Sequence, residues 1–468
     1  MKIIFFELNE VPLKILEYYQ SMRPNSWIAQ NYNKFKKYET FSENAGHLSP
    51  WNTWPTVHRG VSNEKHGISE LNQDLTAVNK EHPPIWDILS TNDVTTGVFG
   101  SLHSFPLPEE KSNVKFHIPD VFSPLPNTHP TSIELFQKIN LNLARKSAKN
   151  VDTGIPLKEV VSNLANIAQL GFKMDTIACI GKHLVEEKMD KWKTTRRRTF
   201  QSVLSFDVFY KLLVSKKPDF VTFFTNHVAS SMHRYWAATF PGEYEKYEFS
   251  KEWQETYTNE ILYTMDHADK MLAKLSKFVD LNPEYKILIS SSMGQEPIES
   301  EPLESQLLIV NNELFLNKLG VVDKEDYVIL PAMIPQYNYT LVESKKELFK
   351  SNLSNLTING NPVVYRELSN GHFSIDFGQA NLETIEVKLN ENIISLKEIG
   401  MENVEIADKS GASAYHIPEG HLFSYHPSNS DSKLVQNQML TCDIAPAILN
   451  NFGVDTPDYM NKLKFSDL

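Results

Sequence analysis

Cysteine is nearly missing from this chain: two residues, Cys179 and Cys442, in 468. They lie far apart, and no Cys-x-x-Cys pair occurs. A disulfide framework, a cysteine zinc site and a dithiol redox motif are therefore not expected. Long hydrophobic runs are missing too. No stretch approaches the roughly 18 consecutive apolar residues of a membrane span. The apolar run in the N-terminal MKIIFFELNE is too short for a signal-peptide core. The expectation is a cytoplasmic protein without membrane contact, in which the Asn-x-Ser/Thr triplets at Asn338, Asn352 and Asn355 are chance matches. Positive charge is in deficit, with 46 Lys and Arg against 58 Asp and Glu and a net charge of −12. An acidic chain gets no general electrostatic help in binding nucleic acid or an anionic membrane, so neither is an expected partner. One basic run, KWKTTRRR at 191–198, reads as a solvated helix face. The GxSxG, Walker A, GxGxxG and HExxH patterns are all lacking, which counts against the serine-hydrolase elbow, P-loop, Rossmann and zincin readings.

Apolar residues are plentiful, at 41%. The length exceeds one compact core and points to a large domain with insertions or to two or three domains. Short runs rich in β-branched and aromatic residues read as buried parallel strands: IIFF (3–6), TGVFG (96–100), DFVTFF (219–224), KILIS (286–290), QLLIV (306–310) and HLFSY (421–425). Helical patterns separate them, among them PPIWDILSTN (83–92) and the 255–278 segment with its apolar residues at helical spacing. The alternation predicts an α/β fold with a doubly wound, mostly parallel sheet and helices on both faces. Residues 1–124, 216–324 and 411–468 would form the core. A mostly helical insertion or cap is expected over 125–215, and a small α+β insertion over 325–410, where TIEVKL alternates and NGNP turns. No internal repeat is evident.

In such a sheet, ligands sit beyond the carboxyl ends of the strands. Glu7-Leu8-Asn9-Glu10 follows the first strand and offers carboxylates for a metal or for acid–base work. In 49–68, Thr53 precedes Trp54 and Pro55. Proline suits a first helical turn, and a hydroxyl at a helix N-terminus lies where N–H groups hold an anion. The plain alternative is an N-cap threonine. TNHVASSMHRYW, after DFVTFF, carries His227 and His233, a pair able to ligate metal. SSSMGQEPIES follows KILIS. YHIPEGHLFSYHP gathers His416, His421 and His426, of which one or two are expected to act. Satisfied structural histidines are the plain alternative throughout.

Taken in order, these blocks resemble the alkaline phosphatase superfamily, most nearly its phosphodiesterase/nucleotide pyrophosphatase branch. NTWPTVHRGVSNEKHGI is similar to that family's nucleophile segment, ASSMHRYW to D-x-x-G-H-x-Y, SSMG to S-D-H-G, His416-Ile-Pro-Glu-Gly420 to H-x-P-x-G, and DIAPAILNNFGVDTP (443–457) to its closing segment. The resemblance implies two metal ions held by Asp and His around a Thr or Ser nucleophile. Carried over, the first metal-binding Asp becomes Glu7, the nucleophile falls on Thr53, and His233 and His416 keep their places. The remaining ligands fall on Ala229, Ser292 and Met293. Alanine cannot ligate, and Ser and Met are poor ligands for such a cation. The implied site is therefore reduced to one divalent cation, zinc or manganese, or none, held by Glu7, His233 and His416 with His227 or Asn226 as substitutes. Anchoring the nucleophile segment on Gly60 brings Ser49 to the nucleophile position instead of Thr53. Asn9, Asn52 and Gln295 are the side chains expected to bind substrate. The implied function is hydrolysis of a phosphodiester, nucleotide-type or other phosphate or sulfate ester. The alternatives are a non-catalytic relative that binds a ligand or partner, and a different acid–base reaction on the same scaffold using Glu7, Glu10 and the histidines.

Overall fold

The computed structural model describes residues 1–44, 48–146, 170–333, 335–368, 371–430 and 434–461. Its centre is an eight-stranded sheet. Six strands come from the first two-thirds of the chain: β1 (Lys2–Leu8), β2 (Phe35–Phe41), β3 (Thr96–Phe99), β4 (Val114–Ile118), β5 (Phe220–Thr225) and β6 (Tyr285–Ser291). Glu419–Tyr425 and Leu434–Leu440 complete it. The spatial order is Leu434–Leu440, β2, Glu419–Tyr425, β6, β1, β5, β3, β4. Every neighbouring pair is parallel except the two made by Glu419–Tyr425, which runs antiparallel to β2 and β6.

β1 lies between β5 and β6, so both its edges are paired, and helices cover both its faces. Ile4, Phe6 and Leu8 enter one hydrophobic cluster with the helices Arg197–Lys216, His227–Thr239 and Glu260–Leu281. Ile3 and Phe5 enter the opposite cluster with the helices Pro50–Arg59, Ile85–Thr91 and Ile444–Asn451. Side chains of a strand alternate between faces, so a strand covered on both sides must be apolar at every position. That is why IIFF and KILIS were legible. The fold is the doubly wound, mostly parallel α/β sheet that the alternation predicted.

Several elements differ from expectation. HLFSY lies in the sheet but is antiparallel. QLLIV forms Ser305–Ile309, which pairs antiparallel with Met401–Glu405 outside the main sheet. β2 (FKKYETF), β4 and Leu434–Leu440 carry too few consecutive apolar residues to stand out. The 125–215 stretch is mostly helical where described, with 147–169 outside the described residues. Its last helix, Arg197–Lys216, packs Phe206, Phe209 and Leu213 into the central core and serves as an ordinary crossover into β5. The basic run is not solvated: the Arg196 guanidinium meets the Glu260 carboxylate at 2.5 and 2.9 Å, and Arg197 meets Glu187 at 2.6 Å.

A third hydrophobic cluster runs from Leu307 to Met401; it takes in the expected α+β segment of 325–410 and begins before it. Its larger sheet has the order Val364–Glu367, His372–Asp376, Gln336–Leu341, Tyr327–Leu330, all antiparallel. The helices Asn312–Lys318 and Glu343–Ser354 add Phe315, Leu316, Phe349 and Leu353 to this cluster.

Candidate metal centre

Three elements meet at the carboxyl edge of the sheet. β1 ends at Leu8, and the next residues, Asn9 and Glu10, are buried. Helix His227–Thr239 starts two residues after β5 and carries His233. After β6, Gly294–Pro297 pairs antiparallel with the distant strand Ala414–Ile417 and sets His416 directly opposite Gln295. Glu10, His233 and His416 each offer one ligand atom, and these atoms all lie within 4.8 Å of one another.

The hydrogen bonds orient this group. Both imidazoles turn Nε2 toward Glu10 Oε2, at 2.8 Å from His233 and 3.4 Å from His416. Each Nδ1 donates to a backbone carbonyl, that of Ala414 for His233 and that of Leu48 for His416, both at 2.7 Å. With Nδ1–H donated to a carbonyl, each Nε2 carries the proton shared with Glu10, and on losing it offers its lone pair to a cation, which is how histidine is presented to a metal. Gln295 Nε2 donates to Glu10 Oε2 at 2.5 Å, and Asn9 Nδ2 to Glu10 Oε1 at 2.8 Å. Asn9 is held in turn by Trp54 Nε1 at 2.7 Å, and it donates to Asn226 Oδ1 at 2.7 Å.

Burial alone would push the Glu10 carboxyl up. The imidazoles of His416 and His233 outweigh it and hold the group well below its ordinary value. Burial likewise works against charge on His416, yet the Glu10 carboxylate prevails and its pKa is raised. The centre is therefore built around a carboxylate that stays ionised, and the donor set suits a borderline cation. Two histidines and one carboxylate with a further position open is a known catalytic zinc pattern.

The expected site residues divide into two groups. Asn9, Gln295, His233 and His416 surround Glu10. Glu7 does not: it lies within β1 on the face toward helix Pro50–Arg59, where His58 Nε2 and Ser101 Oγ meet its Oε1 at 2.9 and 3.0 Å. His227 turns away, with Nδ1 on Thr225 Oγ1 at 2.6 Å and Nε2 on the Thr264 carbonyl at 3.1 Å. Both ring nitrogens are used, and burial pushes its pKa down to about 3. Asn226 touches Asn9 rather than Glu10. Asn52 sits in the first turn of helix Pro50–Arg59, where its side-chain oxygen accepts from the Ser49 N–H at 3.1 Å.

Ser49 is the N-cap of that helix, and Thr53 lies one turn further in. The Thr53 hydroxyl is fully buried, bonded to the Ser49 carbonyl at 3.1 Å and to Ser292 Oγ at 2.8 Å. Ser49 Oγ is also buried, but it has no hydrogen-bond partner among the described residues. Ser49 follows Leu48, whose carbonyl holds His416. Ser292 and Met293 are fully buried and bring no charge. Ala229, where the resemblance implies an Asp, has its backbone carbonyl 3.3 Å from Gln295 Nε2.

The resemblance placed the carboxylate on Glu7, but the period-2 alternation turns Glu7 toward helix Pro50–Arg59, and Glu10 is the carboxylate that stands beside the histidines. A carboxylate past the strand end was the available signal.

No family model and no curated protein sequence matches the chain. Among solved structures it is similar to murine ectonucleotide pyrophosphatase / phosphodiesterase 5, with 10% identity, a TM-score of 0.40, and 99% of this chain and 98% of that one covered. An inactive variant of the murine protein in complex with AMP gives 10% identity and a TM-score of 0.38, with 99% of this chain and 97% of that one covered. The human counterpart gives 12% identity and a TM-score of 0.36, again with 99% of this chain and 97% of that one covered.

Proposed function

We propose that this chain is a hydrolase of phosphate or sulfate esters, phosphodiester or nucleotide-type substrates first, working with one divalent cation held by Glu10, His233 and His416. The observation that carries this reading is the pair of imidazoles, each with Nδ1 on a backbone carbonyl and both with Nε2 on one carboxylate oxygen. Zinc or manganese would supply Lewis-acid charge neutralisation there. Gln295 and Asn9 hold the Glu10 carboxylate in place. Ser49, the N-cap of a ten-residue helix, is the nucleophile favoured over Thr53, because its hydroxyl is uncommitted and helix N–H groups beside it stabilise an anion. The Thr53 hydroxyl is engaged with Ser292.

One feature favours a second reading, a relative that binds a ligand without turnover. Ser292, Met293 and Ala229 add no charged ligand, so a second cation has no evident holder there. The two readings separate by experiment. Metal content is measured on protein purified without chelator, alongside hydrolysis of bis-p-nitrophenyl phosphate and p-nitrophenyl sulfate. One zinc or manganese per chain, lost in His416→Ala, with turnover lost in Ser49→Ala, supports the hydrolase. Stoichiometric metal with no turnover of any ester supports the binding relative. No metal in the wild-type chain after zinc or manganese loading overturns the centre itself.

A further inference from the structure

The α+β insertion meets the core along a polar seam. The four-stranded sheet of the insertion has one face in its own core, through Tyr337, Tyr339, Phe373 and Ile375. Alternation sends Asn338, Thr340, His372 and Ser374 to the other face. The register places Asn338 opposite Ser374 and Leu330, and Thr340 opposite His372. That face is turned to the core segment after the helix Asn63–His66. Asn72 Nδ2 donates to the Pro331 carbonyl at 2.7 Å, and Glu70 meets Arg366 at 2.5 Å. Between the two lies a cleft of about 330 Å³, lined by Asn72, Gln73 and Asp74 from the core and by Thr340, His372 and two leucines, Leu330 and Leu368, from the insertion.

Its walls are under-satisfied. His372 is 5% exposed, and its Nε2 has no hydrogen-bond partner among the described residues. Asn338, beneath the same face and 1% exposed, leaves both amide atoms unpartnered. A buried polar group without a partner costs about 1–3 kcal/mol, so such groups call for an explanation. Here His372 lines a cavity of ligand size, and Asn338 lies on the same sheet face.

We infer that this cleft binds an uncharged, polyhydroxylated ring of hexose size. The Asn72 carboxamide oxygen, the Thr340 hydroxyl and the His372 imidazole offer donors and acceptors side by side, as vicinal hydroxyls require. Leu330 and Leu368 supply apolar surface for the C–H face of a ring. Burial pushes the His372 pKa down, so the ring is neutral and both donates and accepts. An anion is disfavoured: the cation on this face, Arg366, is paired with Glu70, and Asp74 stays ionised, its pKa lowered by the Thr76 hydroxyl and N–H.

Saturation-transfer difference NMR on the full chain tests this with D-glucose, D-galactose, D-mannose and myo-inositol, and with inorganic phosphate followed by ³¹P line width. At least one of the four polyols should receive saturation. His372→Phe and Thr340→Val should weaken that binding at least tenfold, while Glu10→Gln, outside the cleft, leaves it unchanged. His372→Phe removes an unpartnered atom and is expected to fold. Should either variant fail to fold, Leu368→Trp, which fills the cleft from a half-buried position, must abolish the transfer instead. Absence of transfer from all four polyols overturns the inference. So does transfer that survives the folded cleft variants, or binding of phosphate in place of the polyols.

Discussion

Glu10 occupies a backbone conformation that glutamate rarely takes, with φ of 60°. An L-residue in the left-handed region is strained by about 1 kcal/mol or more, and such strain persists where the surroundings or a function demand it. Here the side chain is the evident reason, because that backbone turn brings the carboxylate between His233 and His416. Glu10→Gly should relieve the strain and Glu10→Ala should not. Urea denaturation should find Glu10→Gly more stable than Glu10→Ala by about 1 kcal/mol, while elemental analysis finds both without metal. Equal stabilities would mean that the turn is not strained as described. At Thr53 the expectation runs the other way. Thr53→Val deletes a buried hydroxyl and leaves Ser292 Oγ without its partner, which should cost about 1–3 kcal/mol of stability. The turnover number per folded molecule should not change if Ser49 is the nucleophile. A loss of turnover by a hundredfold or more in folded Thr53→Val would return that role to Thr53.

At the scale of elements, the site depends on an antiparallel strand set into a parallel sheet. Glu419–Tyr425 threads between β2 and β6 and follows the strand Ala414–Ile417, which carries His416. Gly420 permits the close passage: a Cβ there would lie 2.5 Å from the Ser291 carbonyl oxygen and 2.8 Å from Thr40 Oγ1. Backbone on one side cannot move without shifting β6, so Gly420→Ala should destabilise by roughly 2–3 kcal/mol. A thermal melt against wild type checks this, and a change in melting temperature within error would show that the strand is free to shift. The Gly of His416-Ile-Pro-Glu-Gly420 was legible as part of a motif. Its reason, two strands in contact at that point, was not, because the chain gives no local sign of which strands become neighbours. The same limit hid Glu10. Local spacing marked the end of β1 as a place for a carboxylate, but it could not tell which of Glu7 and Glu10 would meet histidines more than 200 residues away.

For the whole molecule, buried histidines set the response to acid. Burial pushes His66, His103 and His227 down to about 3, and His117, His267 and His421 to about 4. A histidine lowered in the fold is neutral there yet takes up a proton in the unfolded chain below pH ~6.5. Its contribution is fully present above that pH and is lost as pH falls toward the folded value. Asp87 and Asp120 act oppositely: burial raises each to about 6, so each holds a proton in the fold near pH 5 that the unfolded chain releases. Near pH 5 these six histidines gain a proton on unfolding where the two aspartates lose one, so uptake outweighs release among them. Each proton of net uptake is worth at most about 1.4 kcal/mol per pH unit, so stability should fall steeply on acidification from pH 6.5 to 4.5. Urea melts across that range check the sign, and stability that is flat or rises toward pH 4.5 would contradict it.

The sequence by itself determined the class of fold and most of the central strands, since a strand covered on both faces must be apolar throughout, and IIFF, DFVTFF and KILIS carry that requirement within six residues. It also marked His233 and His416, through motifs short enough to survive in one segment each. Only the tertiary structure decided that HLFSY runs antiparallel, that QLLIV leaves the main sheet for the insertion, and that the arginines of 196–197 are spent on Glu260 and Glu187. It alone decided that Glu10 rather than Glu7 faces the histidines. These outcomes depend on which distant segments become neighbours, and pairing at long sequence separation is set by the packing of the whole core, which no local pattern encodes.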